Sequence, residues 1–224
     1  MKKILLGAAA VMLLFACTKM DDNYKGMLAP NGITYTGKAD SLKVWPGRER
    51  IRLSWLRGTD PSIKDAVIYW NTGRDSLVVT VPAGRSTDSV FAMLPSLPEN
   101  SYSFSVYTRD GSGHRSIKSD ILGSSYGAIY ESSLQPRVIK SSKMIGTDFC
   151  IYWYRSNDAN NFNTRLRYTD NTGTVRSIDS PGDPDSVLLP NATKTSYATF
   201  RTMYRPGAFA IDTFYSRRDS LKIQ

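Results

Sequence analysis

The chain has 224 residues, of which 29 are basic and 20 acidic, and its formal net charge is +9 at pH 7. One histidine and two cysteines exclude His-cluster metal sites, paired-cysteine zinc sites and a disulfide-rich scaffold. The basic excess is spread evenly, with 12 basic and 9 acidic residues over 30–125 and 13 and 9 over 126–224. Because no block of like charges appears, a nucleic-acid partner is not expected. No phosphate-binding loop or metal motif occurs either, so no cofactor is expected.

The first residues predict an exported protein. Two lysines precede an apolar run from Ile4 to Phe15, which is shorter than the roughly 20 residues that a membrane-spanning helix needs. The run ends in Leu14-Phe15-Ala16-Cys17, which resembles the lipobox of bacterial lipoproteins. The resemblance implies a signal peptide over 1–16 and a lipid on Cys17. The alternative is an ordinary signal peptide that happens to end near a cysteine.

The segment 17–30 is polar and predicts a flexible tether after the lipidated cysteine. Within it, Lys19-Met20-Asp21-Asp22 resembles the surface-export signal of lipoproteins from gut-type Gram-negative bacteria. This resemblance implies a location in the outer membrane, facing the cell exterior, whereas the alternative is a plain polar linker. No later run of 18 apolar residues occurs, so the predicted contact with the membrane is the lipid alone.

Beyond the tether, apolar and polar residues alternate with period two, which predicts β-strands with one buried face. The clearest segments are Arg50–Trp55, Asp65–Trp70, Ser76–Val81 and Tyr102–Tyr107. No amphipathic helix of convincing length appears. The sequence therefore predicts an all-β fold in which Trp55 points inward.

The second half repeats the first, which indicates a duplicated domain. Phe149–Trp153 matches Ile51–Trp55, and the two tryptophans are 98 positions apart. Three further matches occur in the same order: Tyr168 and Asn171-Thr172-Gly173 with Tyr69 and Asn71-Thr72-Gly73, Asp185-Ser186-Val187 with Asp88-Ser89-Val90, and Tyr197 with Tyr102. The predicted domains span 31–125 and 126–224.

The first copy resembles a fibronectin type III domain. Trp55 occupies the second strand, and Leu97–Tyr102 is similar to that family's corner, in which a tyrosine hydroxyl bonds back to the chain. The second copy keeps Trp153 and Tyr197 but lacks the Leu-Pro corner. The resemblance implies two tandem fibronectin type III-like β-sandwiches.

The whole chain also resembles an uncharacterised family of lipoproteins from gut-dwelling Gram-negative bacteria. The likeness rests on Pro46–Arg50, Arg201–Pro206 and Ala210–Tyr215. It implies no known activity.

No constellation of residues points to catalysis or metal binding. His114 lies in a Gly-Ser loop, and Cys150, in the other half of the chain, is expected to be an inert strand cysteine. The segment Asn157–Asn161 has calcium-type oxygens but no closing Gly and Glu, so a solvated loop is expected. The predicted function is a non-catalytic surface lipoprotein that binds or displays a polysaccharide or another surface protein. A structural spacer is the alternative, and a hydrolase with converging carboxylates is a remote one.

Two aromatic residues are candidates for stacking on a sugar. Trp45 lies beside a Pro-Gly turn and Trp70 lies at the end of a predicted strand, so both are candidates for exposed rings. The alternative is that both pack on the edges of the sandwich.

The tripeptide Asp-Ser-apolar occurs five times and resembles the O-glycosylation acceptor of gut-type bacteria. Asp and Ser also favour strand starts and turns because their side chains bond the local backbone, which is the alternative explanation. The candidate acceptors are Ser41, Ser76, Ser89, Ser186 and Ser220.

Overall fold

The computed structural model describes residues 34–224, which form two antiparallel β-sandwiches. The predicted signal peptide, Cys17 and the tether lie outside the described residues. The strands are β1 (Asp40–Pro46), β2 (Ile51–Leu56), β3 (Ile63–Trp70), β4 (Asp75–Thr80), β5 (Ser89–Leu94), β6 (Asn100–Asp110), β7 (Ser119–Ser125), β8 (Ile139–Ile145), β9 (Asp148–Trp153), β10 (Asn161–Thr169), β11 (Val175–Pro181), β12 (Ser186–Leu189), β13 (Tyr197–Tyr204), β14 (Phe214–Tyr215) and β15 (Asp219–Lys222). One short helix, α1 (Ala128–Ser133), lies between β7 and β8.

The first sandwich packs a three-stranded sheet against a four-stranded one. The strand orders are β1-β2-β5 and β4-β3-β6-β7. Alternating residues of both sheets point inward and form one core, in which Trp55 is only 2% exposed. This is the sandwich that the fibronectin type III resemblance implies, and the predicted inward direction of Trp55 is confirmed.

The second sandwich repeats this plan with a wider sheet. Strands β12-β9-β8 form the smaller sheet, and β11-β10-β13 continue into β14 and β15, which both pair with β13. Trp153 is 2% exposed and its ring contacts Phe200 edge-on, with centroids 5.4 Å apart. The all-β prediction, with an inward tryptophan in each copy, is therefore confirmed.

The predicted tyrosine corner forms in the first sandwich only. The Tyr102 hydroxyl donates to the Pro98 carbonyl at 2.8 Å. The matching of Tyr197 with Tyr102 is wrong, because Tyr197 is 59% exposed while its neighbour Ala198 is buried. A shift of one residue along a strand moves a side chain to the opposite face. In the second sandwich a tyrosine on a different strand, Tyr168 on β10, donates its hydroxyl to the Pro190 carbonyl at 2.9 Å.

Helix α1 has six residues and follows directly after the first sandwich. Over the described range 34–224, no helix is long and apolar enough to cross a membrane.

Candidate functional site

The two sandwiches meet at a joint built from the motifs that the sequence analysis singled out. The turn after β1 reaches the segment before β14, where the Ile211 amide donates to the Pro46 carbonyl at 2.8 Å. A Cβ added to Gly47 would lie 2.6 Å from Asp212 Oδ2 and 2.7 Å from Ile211 Cγ1. Only a glycine at this position lets the two segments of backbone approach this closely. The motif glycine is therefore explained by contact between the sandwiches.

Two bidentate ion pairs cross the joint. Arg48 Nη1 and Nη2 each donate to a carboxylate oxygen of Glu131 at 2.9 Å. Arg50 Nη2 and Nε donate to Asp212 at 2.6 and 3.0 Å. Asp212 also accepts the Arg48 amide at 2.8 Å. Paired donors of this kind fix an orientation as well as contributing attraction.

The hydrogen bonds from the arginines lower the pKa of both joint carboxyls. Hydrogen bonding to Arg48 is the main cause for Glu131, and hydrogen bonding to Arg50 is the main cause for Asp212, while partial burial opposes both shifts. Both groups are therefore ionised at neutral pH, and the cross-joint pairs are charged.

An aromatic cluster fills the space beneath these pairs. Leu134, Tyr204 and Phe214 form a small separate core, with Tyr126 and Tyr130 packed against it. The Tyr130 ring meets the Phe214 ring edge-on, with centroids 5.2 Å apart. Burial raises the pKa of Tyr130 to about 12, so its hydroxyl stays protonated. The joint thus has its own apolar centre, independent of the two sandwich cores.

Glu99, from the corner of the first sandwich, caps the start of α1. Its two carboxylate oxygens accept the Tyr130 amide at 2.6 Å and the Ile129 amide at 2.7 Å. The residue before the helix, Gly127, has no side chain that can do this. A carboxylate satisfies amides that the first turn leaves unpaired. The cap therefore ties α1 to the first sandwich.

Trp45, a candidate for sugar stacking, packs at the edge of this joint. The Arg52 guanidinium lies over its ring, 4.4 Å from the centroid, and Phe209 is tilted against it at 5.0 Å. Its indole nitrogen donates to Ser54 Oγ at 2.9 Å. The ring also lines a hollow of about 240 Å³ together with Lys43. A sugar stacked on Trp45 would share the ring with Arg52 and Phe209.

Trp70, the other stacking candidate, is half-buried and packs against the first core. On the outer face beside it, Tyr69 and Tyr107 meet edge-on with centroids 5.9 Å apart. The Arg115 guanidinium lies 4.7 Å from the Tyr107 centroid. These residues line an open hollow of about 500 Å³ with Lys118, which we call the tyrosine hollow. Sequence reasoning missed it because the tyrosines lie on different strands.

All five candidate acceptor serines are exposed. Ser89 and Ser186 are the first residues of β5 and β12, and Ser76 and Ser220 are the second residues of β4 and β15. Ser41 lies at a bulge in β1 with a φ of 54°. Their hydroxyls are accessible to an enzyme, and glycosylation stays a prediction.

The residues that the sequence analysis considered for catalysis or metal binding lie in three different places. His114 Nδ1 is 2.7 Å from Asp110 Oδ2 in an exposed loop, and this contact lowers the pKa of Asp110. Cys150 is buried in β9. In the loop at 157–161, Asp158 Oδ1 accepts the Asn160 amide at 2.8 Å. Over residues 34–224, no group of three or more His, Cys, Asp or Glu side chains is arranged to hold a metal ion.

Glu99, Glu131 and Asp212 are the joint residues that sequence reasoning did not assign. Glu99 lies in the recognised corner and Asp212 lies in the motif Ala210–Tyr215, whereas no sequence signal pointed to Glu131. Their partners are distant in sequence: Arg48 and Glu131 are 83 residues apart, and Arg50 and Asp212 are 162 apart.

Comparison with known proteins gives a family and a set of structural neighbours. A family described as a domain of unknown function, DUF4998, matches residues 17–214. A two-domain fibronectin type III segment of chicken tenascin is 19% identical, with a TM-score of 0.33, covering 83% of this chain and 99% of the other. Fibronectin domains 1–3 of chicken CNTN1 are 12% identical, with a TM-score of 0.44, covering 86% of this chain and 69% of the other. No curated protein matches the chain.

Proposed function

The chain belongs to the DUF4998 family, and we propose that it is a non-catalytic, surface-anchored lipoprotein that binds or displays a polysaccharide or another surface protein. In this proposal a lipid on Cys17 holds the chain in the outer membrane, and the two sandwiches face the cell exterior. The lipobox-like and export-signal-like segments carry the placement.

The joint is the observation that carries the proposal. Arg50 pairs directly with Asp212 of the second sandwich. Arg48 and Glu99 hold α1 to the first sandwich, and α1 contacts the second through the Tyr215 amide and the aromatic cluster. Tandem domains joined only by a linker move relative to each other by default. A joint of this kind instead holds two sheet faces in fixed directions, which serves a module that presents a binding surface at a distance from its anchor.

The tyrosine hollow supplies the surface that the binding function needs. It combines three aromatic rings, those of Tyr69, Trp70 and Tyr107, with the Arg115 and Lys118 cations and two serine hydroxyls. Aromatic rings contact the apolar faces of sugars, while charged and hydroxyl groups bond their oxygens. Lys118 Nζ pairs with Asp120 Oδ2 at 2.9 Å, and both side chains are about half exposed.

The two residues that the sequence analysis weighed for nucleophilic catalysis are not brought together within residues 34–224, which supports a non-catalytic role. His114 is paired with Asp110 in an exposed loop, and Cys150 is buried in the other sandwich. Nucleophilic catalysis needs a base within about 3 Å of the nucleophile.

A glycan array tests the binding function directly. A soluble chain from residue 18 contains the whole described fold, and it should give reproducible hits. Tyr107→Ala should weaken hits that depend on the tyrosine hollow, whereas Tyr154→Ala, which removes a 55% exposed tyrosine of the second sandwich, should leave them unchanged. The joint also suits a rigid spacer, and that alternative requires an array without hits.

Anchoring is tested separately in the native host. Cys17→Ser should abolish lipid labelling and release the protein from the membrane fraction. Protease added to whole cells should remove the wild-type protein. A Cys17→Ser variant that stays in washed membranes would contradict the lipoprotein assignment, and protection from protease would place the chain on the periplasmic side.

The proposed O-glycosylation has its own measurement. Intact mass of the delipidated native protein should exceed that of the bare chain by sugar-sized increments. Ser→Ala at the five acceptor positions should remove these increments one at a time. A mass equal to that of the bare chain would eliminate the modification without affecting the binding proposal.

A further inference from the structure

We propose that the outer face of β10 and β13 in the second sandwich binds an acidic polysaccharide, one that carries carboxylate or sulfate groups. The inference rests on the proposed binding function and adds to it the chemical class of a ligand. The residues that carry it are Arg165, Arg167, Arg201, Arg218 and Tyr215, which line a cleft of about 170 Å³. We call this surface the arginine cleft.

Strand geometry brings these arginines together. Arg165 and Arg167 alternate with the buried residues Leu166 and Tyr168 along β10, so both point away from the core. Arg201 on β13 is the direct cross-strand partner of Arg165. Two like charges directly opposite each other destabilise a sheet. Asp179 offsets this cost at Arg165 alone, so the remaining arginines of the face favour a ligand that carries negative charge.

The carboxylate inside the cluster does not neutralise the cleft. Asp179 on β11 accepts from Arg165 Nε and Nη2 at 2.8 and 2.9 Å, so both of its oxygens are engaged by one arginine. The charge of Arg201 also helps to lower the pKa of Glu131, so these two groups lie close together. Both carboxylate oxygens of Glu131 are nevertheless already bound by Arg48. The cleft therefore retains a net positive charge.

Arg201 is held in place for a ligand. Its Nε donates to the Ser216 carbonyl at 3.1 Å, and its guanidinium lies 5.1 Å from the centroid of the Tyr215 ring. These contacts use only the Nε donor of Arg201 and leave its two terminal amino groups available to a ligand. An arginine fixed in this way loses little freedom on binding an oxyanion.

Arg167 and Arg218 are the cations available to a ligand. Both are exposed, and within residues 34–224 neither forms an ion pair. With Arg201 they present guanidinium groups from β10, from β13 and from the segment before β15. A guanidinium matches the planar geometry of a carboxylate or sulfate. Three such groups on separate elements suit a ligand with several anions along its length.

The shape and lining of the cleft favour an acidic sugar chain over other polyanions. The cleft is open to solvent rather than enclosed and has a volume of about 170 Å³, so one ring of a longer sugar chain can enter it. Tyr215 and Thr199 add an aromatic face and a hydroxyl, which suit a pyranose ring. Nucleic acid is the competing polyanion and is included in the test.

Calorimetric titration of the soluble chain from residue 18 tests the inference. The probes are polygalacturonate and dextran sulfate, with neutral dextran and a duplex DNA oligomer for comparison. We expect binding to at least one of the acidic glycans, at least tenfold weaker or absent binding to dextran and DNA, and weakening as salt rises.

The variant Arg167→Gln/Arg218→Gln should lower affinity for the acidic glycan at least tenfold. The matched control Lys38→Gln/Arg74→Gln removes two exposed charges from the first sandwich and should change affinity less than twofold. Equal losses in both variants, or DNA binding as tight as glycan binding, would overturn the arginine cleft. If the wild-type chain binds neither acidic glycan while array hits at the tyrosine hollow persist, this inference is overturned and the proposed function stands.

Discussion

The two sandwiches have separate cores of similar composition but differ in their outer faces. Inward positions hold the same kinds of residue, with Trp55 and Trp153 at the two centres. On the outer face of the central strands, β3 of the first sandwich carries Asp65 and Tyr69, whereas β10 of the second carries Arg165 and Arg167. Arg109, which also lies on the first face, is paired with Asp65 at 2.6 Å, and Arg115 lies over the Tyr107 ring.

This difference shows which residues a duplicated β-domain is free to change. An inward residue is constrained by close packing, so the core pattern persists in both copies. An outward residue has no such constraint, so one face could become aromatic and the other cationic. The joint then decides how the two faces are presented together.

The largest expected effect tests whether the two cores are equivalent. Trp55→Ala and Trp153→Ala should each lower the free energy of unfolding by about 3–5 kcal/mol, because each removes a fully buried aromatic side chain. Urea unfolding followed by circular dichroism measures this. A loss below about 1 kcal/mol in either variant would show that its tryptophan is not a core centre.

The next effect concerns the joint. Gly47→Ala should cost about 1–3 kcal/mol, since the new methyl group overlaps Asp212 and Ile211. The control is Gly111→Ala, whose methyl group meets Lys64 Cγ at 3.9 Å and has room. Thermal unfolding of both variants compares them. Equal stability would mean that the sandwiches do not approach as closely as the structure shows.

The next comparison concerns one tyrosine hydroxyl in each sandwich that donates a hydrogen bond to the backbone. Tyr102→Phe and Tyr168→Phe each remove one hydroxyl that donates to a proline carbonyl, and each should cost about 0.5–1.5 kcal/mol. Tyr197→Phe, at the exposed position, should stay within about 0.5 kcal/mol of the wild type. A clear loss in Tyr197→Phe would restore the sequence-based matching with Tyr102.

The smallest effect is the pH dependence of the joint. Because the pKa of Asp212 is lowered in the folded state, its pair with Arg50 stabilises the joint at neutral pH. That contribution should be lost as the pH falls below about 4 and through the lowered pKa of Asp212. Arg50→Gln should therefore cost up to about 1 kcal/mol at pH 7 and less at pH 3. An identical cost at both pH values, with Arg74→Gln as the control, would contradict the charged pair.

The sequence predicted the features that depend on local alternation. Trp55 and Trp153 follow period two within well-defined strands, so their direction was readable. The match of Tyr197 failed because the inward positions of β13 are shifted by one residue, so that Ala198 rather than Tyr197 points into the core. The joint and the arginine cleft were not predictable, because each requires knowing which distant strands or turns become neighbours.

The most direct test of the account is a distance measurement between the sandwiches. Spin labels at Arg74→Cys and Lys194→Cys, in a soluble Cys150→Ala chain from residue 18, report on the two domains by pulsed electron resonance. Both label positions are exposed. A locked joint predicts one narrow distance distribution that broadens when Gly47→Ala is added. A broad distribution in the parent chain would contradict the claim that the joint fixes the two faces relative to each other.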